Sequence, residues 1–166
     1  LCGRVANWDD HAVNQHVFEA LQFRMPTFDQ AVSALIEDIY SRGLDRRVLV
    51  IVTGGFGRTP RISYEPSSGG GVASAAAGTV QPGRDHWPAA NTMLWSGGGI
   101  ATGQVIGSTD DVGLHAVEDR LHVHDLHATI LYLLGLDHMD LIYRYQGRPE
   151  RPTLNEGEAY RRITGT

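Results

Sequence analysis

The residues IVTGGFGRTP at positions 51–60 hold the strongest indication of the fold. They overlap VLVIVT at 48–53, a continuous apolar run that is rich in β-branched side chains. Such a run is typical of a strand buried on both faces, as in a parallel sheet that is covered by helices. The glycines that follow it predict a tight change of direction where the strand ends.

A helix is predicted immediately before this strand. In PTFDQAVSALIEDIYSRG at 26–43, apolar residues recur at helical spacing and polar residues fill the opposite face. Thr27 and Gln30 fit a capping box, and Gly43 fits a left-handed helix end. The succession of helix, short turn and buried strand predicts an α/β fold.

The later part of the chain predicts a second strand and a second helix. NTMLWS at 91–96 is an apolar run that ends at three glycines, and HDLHATILYLLG at 124–135 has an apolar stripe that ends at Gly135. Before them, residues 65–83 are dominated by Gly, Ser and Ala. This composition predicts a flexible surface loop.

Length and composition restrict the class of protein. The chain has 166 residues, which suits a single domain over 1–166, and its net charge of −5 argues against a nucleic-acid partner. No apolar run approaches the roughly 20 residues of a membrane span.

Cys2 is the only cysteine, so an intrachain disulfide is excluded. The start, LCGRVANWDD, lacks an initiator Met and a signal peptide, which predicts a piece of a longer protein.

NWDDH at 7–11 is the first candidate metal site. In an extended chain Asp9 and His11 share one face while Asp10 points the other way. A carboxylate and an imidazole at this spacing can hold a divalent cation such as zinc. The alternative is a polar loop with a helix N-cap.

GRDHWP at 83–88 is the second candidate. Adjacent side chains diverge on a regular strand, so we expect His86 to be the ligand and Asp85 to orient it from behind. The alternative is a surface turn beside a proline.

The third candidate combines His122, His124 and His127 with Asp125. His124 and His127 are three residues apart on one helix face, a spacing that can bind metal. A histidine near a helix start more often caps the helix or lies on the surface, and we favour that interpretation.

The glycine-rich segment TGGFGRTP does not match a phosphate-binding loop. It has no lysine and no G-x-x-x-x-G-K-[ST] pattern, and Pro60 argues against a helix directly after it. Arg58 can clamp an oxyanion with its planar fork, or it can be a salt-bridged loop residue. No catalytic nucleophile is apparent, since Thr53 fits a structural role better.

Several segments, taken in order, resemble an uncharacterised sulfatase-like family of the alkaline phosphatase superfamily, which is typically exported by the twin-arginine route. The resemblance runs from about residue 7 to 150 and corresponds to the C-terminal part of such a protein. The segments are WDDH, SALIEDIYSRG, VLVIVTGGFGRTP, PGRDHWP, SGGGIATGQVIGSTD, HDLHATILYLLGLD and YRYQGRPE.

The resemblance implies part of a doubly wound, mostly parallel sheet flanked by helices, with divalent metal, zinc or calcium, at the strand ends. It also implies a periplasmic or secreted location. The ligands it implies coincide with those proposed from the residues, namely Asp9, His11 and His86. Asp85 is then the outer partner, and Arg58 and Arg84 are the contacts to a substrate oxyanion.

Two departures from that family affect the expected function. The family usually carries glutamate within TGEFGRTP, where this chain has Gly55, so one metal-binding carboxylate is missing. The nucleophile of the superfamily belongs to an N-terminal half that this chain lacks.

The leading expectation is the metal-site half of a hydrolase that cleaves small sulfate or phosphate esters, active as part of a longer protein. The alternative is a degenerate, non-catalytic member that serves as a binding or structural subunit within an assembly. A third, weaker interpretation is an α/β fragment whose polar clusters are only loops.

Overall fold

The computed structural model describes residues 8–164, which fall into two compact units. The first unit comprises residues 8–38, 53–93 and 109–116, and the second comprises 39–52, 94–108 and 117–164. A single domain over 1–166 therefore stays a prediction, and Cys2 lies outside the described residues. The elements, in chain order, are α1 (Val17–Ser41), β1 (Leu49–Val52), β2 (Gly57–Arg58), β3 (Ser63–Pro66), β4 (Val80–Gly83), β5 (His86–Trp87), β6 (Leu94–Gly97), β7 (Ser108–Thr109), β8 (Ala116–Glu118), α2 (Val123–Leu133), β9 (Tyr143–Tyr145), β10 (Arg148–Glu150) and a 3₁₀ turn (Arg161–Thr164).

Helix α1 starts nine residues before the predicted position 26, so the capping box predicted at Thr27 is wrong. Pro26 lies inside the helix, although proline removes an intrahelical hydrogen bond there. The turns before it are held by burial, because Val17 is 4% exposed and Ala20 is 2% exposed. Packing of these turns therefore outweighs the local cost of the proline.

The end of α1 agrees with the prediction at Gly43. The amide of Gly43 donates to Tyr40 O at 3.0 Å, and that of Leu44 donates to Ile39 O at 3.0 Å. Gly43 has a φ of +64°, so the two bonds form a Schellman motif closed by a left-handed glycine.

The predicted doubly wound parallel sheet is wrong. Strand β1 exists where the apolar run predicts it, but it pairs antiparallel with β6, from Leu49 opposite Gly97 to Val52 opposite Leu94. All four residues of β1 are half-buried rather than enclosed. A continuous apolar run indicates that a strand forms, but it does not specify the direction of the partner strand.

The other sheets in the described part of the chain also have two strands each. β2 pairs with β5, β3 with β4 and β9 with β10, all antiparallel, and β7 pairs with β8. The architecture therefore consists of short paired strands and two helices, without the layered parallel sheet that the resemblance implied.

Residues 65–83 begin and end in the antiparallel pair β3–β4. Ser67 is 4% exposed and donates its hydroxyl to Ala75 O at 2.8 Å, while Gln81 is 1% exposed. The ends of this segment are thus ordered by pairing and burial, and the flexibility predicted for the segment stays a prediction.

Helix α2 lies where the sequence predicts it. His122 is its N-cap, and Asp125 completes a capping box by accepting the His122 amide at 2.7 Å. Gly135, with a φ of +78°, follows the last turn. Neither helix in residues 8–164 is both long and apolar enough to cross a membrane.

Gly83 allows β4 to lie directly against residues 11–12. A Cβ on Gly83 would come within 2.6 Å of the carbonyl carbon of His11 and still closer to the backbone of Ala12. We therefore expect Gly83→Ala to lower the free energy of unfolding by about 2 kcal/mol, because rigid backbone atoms must move. Urea unfolding measures the change.

Gly55→Ala is the matched control for this prediction. A Cβ on Gly55 meets nothing within 4 Å, so the free energy of unfolding should change by less than about 0.5 kcal/mol. Equal losses in the two variants would contradict the tight packing at Gly83.

Candidate metal centre

The segment that carries Asp9 and His11 is tied to α1 by the residue between them. Asp10 is 6% exposed and forms an ion pair with the guanidinium of Arg24, which is 5% exposed. The same guanidinium lies over the ring of Trp8, with its carbon 4.8 Å from the ring centroid. Because Asp10 turns toward the helix, Asp9 and His11 turn the other way, as the sequence predicts for an extended chain.

Strand β4 and the residue after it also hold this segment. The buried amide of Gln81 donates to Ala12 O at 2.6 Å and accepts from the amide of Ala75 at 2.8 Å. The amide of Arg84 donates to Asp10 O at 3.1 Å. The backbone of residues 10–12 is thereby fixed next to the strand that leads to His86.

The pairing of β2 with β5 adds the third segment. Arg58 lies directly opposite His86 in this antiparallel pair. The ring of Phe56 packs on the ring of His86 with centroids 4.0 Å apart. The segment GGFGRTP therefore forms a wall beside His86. This role accounts for the position of the glycine-rich segment, and no phosphate-binding loop is needed to explain it.

Three side-chain atoms converge at the centre of this arrangement. The Nε2 atom of His86 is 2.8 Å from Asp9 Oδ1 and 3.1 Å from His11 Nε2, and His11 Nε2 is 3.0 Å from Asp9 Oδ1. Donor atoms around tetrahedral zinc lie about 3.3 Å apart, given bonds of roughly 2.0–2.1 Å. The triangle is therefore a few tenths of an ångström smaller than a zinc ligand set.

Asp85 orients His11, although the sequence predicted it as the partner of His86. His11 Nδ1 lies 3.0 Å from Asp85 Oδ1. An ionised carboxylate only accepts, so Nδ1 carries a hydrogen and Nε2 is the nitrogen of His11 that could bind a cation. Nε2 lies 3.0 Å from Asp9 Oδ1, so a cation could be held by both atoms. Carboxylate–histidine pairs of this kind commonly support metal ligands.

Arg58 holds Asp9 in place. Its guanidinium donates to Asp9 Oδ1 at 2.9 Å, to Trp8 O at 2.8 Å and to Arg84 O at 3.1 Å. The hydrogen bond from His86 lowers the pKa of Asp9 below its ordinary value of 3.8, and Arg58 and the charge of His11 act in the same direction. Partial burial opposes them. Asp9 therefore stays ionised, the form in which a carboxylate binds metal.

The three converging side chains remain accessible to water. Their exposed fractions are 38% for Asp9, 27% for His11 and 46% for His86. Asp9 and His86 line a cavity of about 480 Å³. A site with three protein ligands and an open side resembles catalytic rather than structural zinc sites.

Gly55 and Arg84 also line this cavity. A Cβ on Gly55 would meet no atom of residues 8–164 within 4 Å, so there is space for a side chain where the resemblance implied a carboxylate. In the part of the chain that the structure describes, the guanidinium of Arg84 makes one long bond, from its terminal nitrogen to Pro60 O at 3.4 Å, and its Nε is buried without a hydrogen-bond partner. Arg84 is thus less committed to protein acceptors than Arg58.

At the start of α2, His122 caps the helix, in line with the favoured interpretation, and the possible metal group differs from the set considered in the sequence. His122, His124 and Glu156 bring one donor atom each within 4.8 Å of one another, and His127 is not part of this group. Sequence reasoning missed Glu156, because it lies 32 residues after His124 and no local spacing connects them. It also missed the packing of Phe56 on His86, because Phe56 lies among glycines that indicate only a turn.

A family profile described as a protein of unknown function, DUF1501, matches residues 3–164. The chain belongs to the DUF1501 family. This is a distinct uncharacterised family, so the sulfatase-like family of the alkaline phosphatase superfamily named above is wrong. No curated protein and no solved structure matches this DUF1501 chain. The periplasmic or secreted location came from that resemblance and stays a prediction.

The charge state of Asp9 gives a testable pH dependence. In protein kept with a chelator, we expect a carboxyl pKa below 3.8 for Asp9 and a higher value in both His86→Ala and Arg58→Ala, because each removes a hydrogen bond to the charged form. Carbon-detected NMR of the carboxyl group measures these values. A wild-type pKa at or above 3.8 would contradict the proposed hydrogen bonding.

The sign of the stability effect follows from this shift. Because the folded pKa of Asp9 is the lower one, its stabilisation is present above pH 3.8 and is lost as the pH falls through the folded value. Asp9→Asn should therefore lose less stability than the wild type on acidification below that point.

Proposed function

We propose that this chain binds a divalent cation through Asp9, His11 and His86 and that this centre takes part in hydrolysis of phosphate or sulfate esters. The observation that carries the proposal is the triangle of one carboxylate oxygen and two imidazole nitrogens, with sides of 2.8, 3.0 and 3.1 Å. Two imidazoles and one carboxylate suit zinc, whereas calcium takes six to eight oxygen ligands. We therefore expect zinc in preference to calcium.

The chemistry of hydrolysis fits the groups around the cavity. A bound cation would polarise an ester oxygen and lower the pKa of an attacking water. The water oxygen forms a bond to phosphorus or sulfur as the bond from that atom to the alcohol oxygen breaks, and the alcohol leaves with a proton. No side-chain nucleophile of this chain is needed for that reaction.

Arg84 is the better candidate for binding the ester anion. Arg58 directs three hydrogen bonds at Asp9, Trp8 O and Arg84 O, so it positions the ligand Asp9. Both arginines line the cavity, but within residues 8–164 the side chain of Arg84 makes only the long bond to Pro60 O. A planar guanidinium with free donors matches two oxygens of a phosphate or sulfate group.

The second candidate function is a non-catalytic binding or structural subunit. Gly55 favours this second candidate, because it lines the cavity and has no side chain that could add a ligand to the three. The hydrogen bonds of Arg58 to protein acceptors also favour the non-catalytic subunit, because they leave one arginine fewer to bind a substrate. The two candidates differ in metal affinity and in ester hydrolysis.

We expect His86→Ala to lower zinc affinity by roughly tenfold or more, because it removes one of three ligands. Isothermal titration with Zn²⁺ measures the change. His115→Gln is the matched control, since His115 bonds to Asp110 in the same unit and is not part of the triangle. Equal affinities in the two variants would rule out His86 as a ligand.

Gly55→Glu should increase zinc affinity by about tenfold. The position is open, its backbone is not left-handed, and it lines the cavity with Asp9 and His86, so a carboxylate there can reach the cation. Gly55→Gln is the control of similar size without the charge. An equal change in both variants, or no gain with glutamate, would mean that position 55 does not face the metal.

Catalysis is tested with aryl phosphate and aryl sulfate in the presence of Zn²⁺. Hydrolysis that His86→Ala abolishes, and whose KM rises in Arg84→Gln, would support the ester hydrolase. Tight zinc binding without hydrolysis of either ester would support the binding or structural subunit.

A further inference from the structure

A second group of metal-ligating side chains lies at the start of α2, in the second unit. His122, His124 and Glu156 each offer one donor atom, and the three atoms lie within 4.8 Å of one another. The rings of His122 and His124 are 4.9 Å apart between centroids and nearly perpendicular, at 83°. We propose that this cluster binds Zn²⁺ at a site separate from the Asp9 centre.

Glu156 is held beside His124 by the backbone that follows it. Gly157 packs on the first turn of α2 so closely that a Cβ would lie 2.5 Å from the carbonyl carbon of His124. The amide of Glu158 donates to Asp125 Oδ1 at 2.8 Å, and the amide of Tyr160 donates to Thr129 Oγ1 at 2.9 Å. Residues 157–160 are thereby fixed along α2, and Glu156 projects toward its N-terminus.

The hydrogen bond between His124 and Glu156 defines where the cation enters. His124 Nδ1 lies 2.8 Å from Glu156 Oε2, and the hydrogen between them is on the imidazole because the carboxylate only accepts. A cation replaces that hydrogen, which moves to Nε2 of the same ring. No proton is lost, and no bond other than N–H is broken.

His122 is the ligand that must rearrange. Its Nδ1 accepts the amide of His124 at 3.3 Å as the N-cap of α2. This is long for a hydrogen bond between nitrogens, and the capping box keeps its second bond, from the His122 amide to Asp125 Oδ2 at 2.7 Å. The ring can therefore turn toward the cation while Asp125 still caps the helix.

Charge at this position favours a cation despite the positive end of the helix dipole. The first turn contains the carboxylate of Asp125, and Glu156 and Glu158 lie on the facing segment. Two histidines and one carboxylate are also a familiar zinc ligand set. The side chain of Glu156 is 67% exposed and that of His124 is 17% exposed, so the cluster is open to solvent at the glutamate.

Zinc titration of matched variants tests the site. In Glu156→Gln we expect zinc to bind this cluster roughly tenfold more weakly or worse, whereas Glu158→Gln, with the same charge change two residues away, should retain wild-type affinity. His124→Gln and the exposed His127→Gln form a second matched pair. Equal affinities within both pairs would overturn the proposal.

NMR of the histidine rings separates this site from the Asp9 centre. Zn²⁺ added to His86→Ala should shift the ring resonances of His122 and His124, and a chelator should reverse the shifts. Ring resonances of His122 and His124 that stay unchanged at saturating Zn²⁺ would also overturn the proposal. Because His86→Ala leaves this cluster intact, failure here is distinct from failure of the proposed hydrolase.

Discussion

The buried amide of Gln81 is the contact on which the candidate site depends. It joins the carbonyl of Ala12 to the amide of Ala75, and at 1% exposure it has no water to replace either partner. A buried amide that lost these bonds would cost more than the bonds themselves contribute. Gly83 completes the constraint, since only a residue without a side chain lets the two backbones meet there. The position of Asp9 and His11 relative to His86 follows from these two residues.

The site is assembled from three segments that are far apart in sequence. The first brings Asp9 and His11 to the centre, the second brings His86, and the third supplies the wall residue Phe56. Each segment also has an anchor: Asp10 toward α1, Gln81 toward Ala12, and Arg58 toward the carbonyls of Trp8 and Arg84. The anchors are backbone or buried contacts, whereas the converging side chains are partly exposed. Rigidity thus comes from groups that take no part in metal binding, which is the arrangement that a preformed site requires.

The sequence predicts the local features better than the pairing of segments. The end of α1 at Gly43, both ends of α2 and the position of β1 follow from nearest-neighbour chemistry, and all are observed. The predicted parallel partner of β1 and the predicted start of α1 at residue 26 were wrong, because both features are decided by packing rather than by local preference. For the site, alternation along the chain places Asp9 and His11 on one face, yet only tertiary structure assigns Asp85 to His11 and Glu156 to His124.

Two adjacent aspartates, Asp9 and Asp10, lie in opposite environments. Asp10 is enclosed and neutralised by Arg24, while Asp9, one residue earlier, is accessible and faces two imidazoles. Successive side chains of an extended segment alternate in direction. An insertion or deletion in this segment would therefore disturb the site more than a substitution would. Adding or removing a residue between Trp8 and Ala12 would reverse these directions, so that the two carboxylates lost their partners Arg24 and His86. The length of this segment is therefore restricted more tightly than its composition, and variation among such chains should consist of replacements rather than insertions at this point.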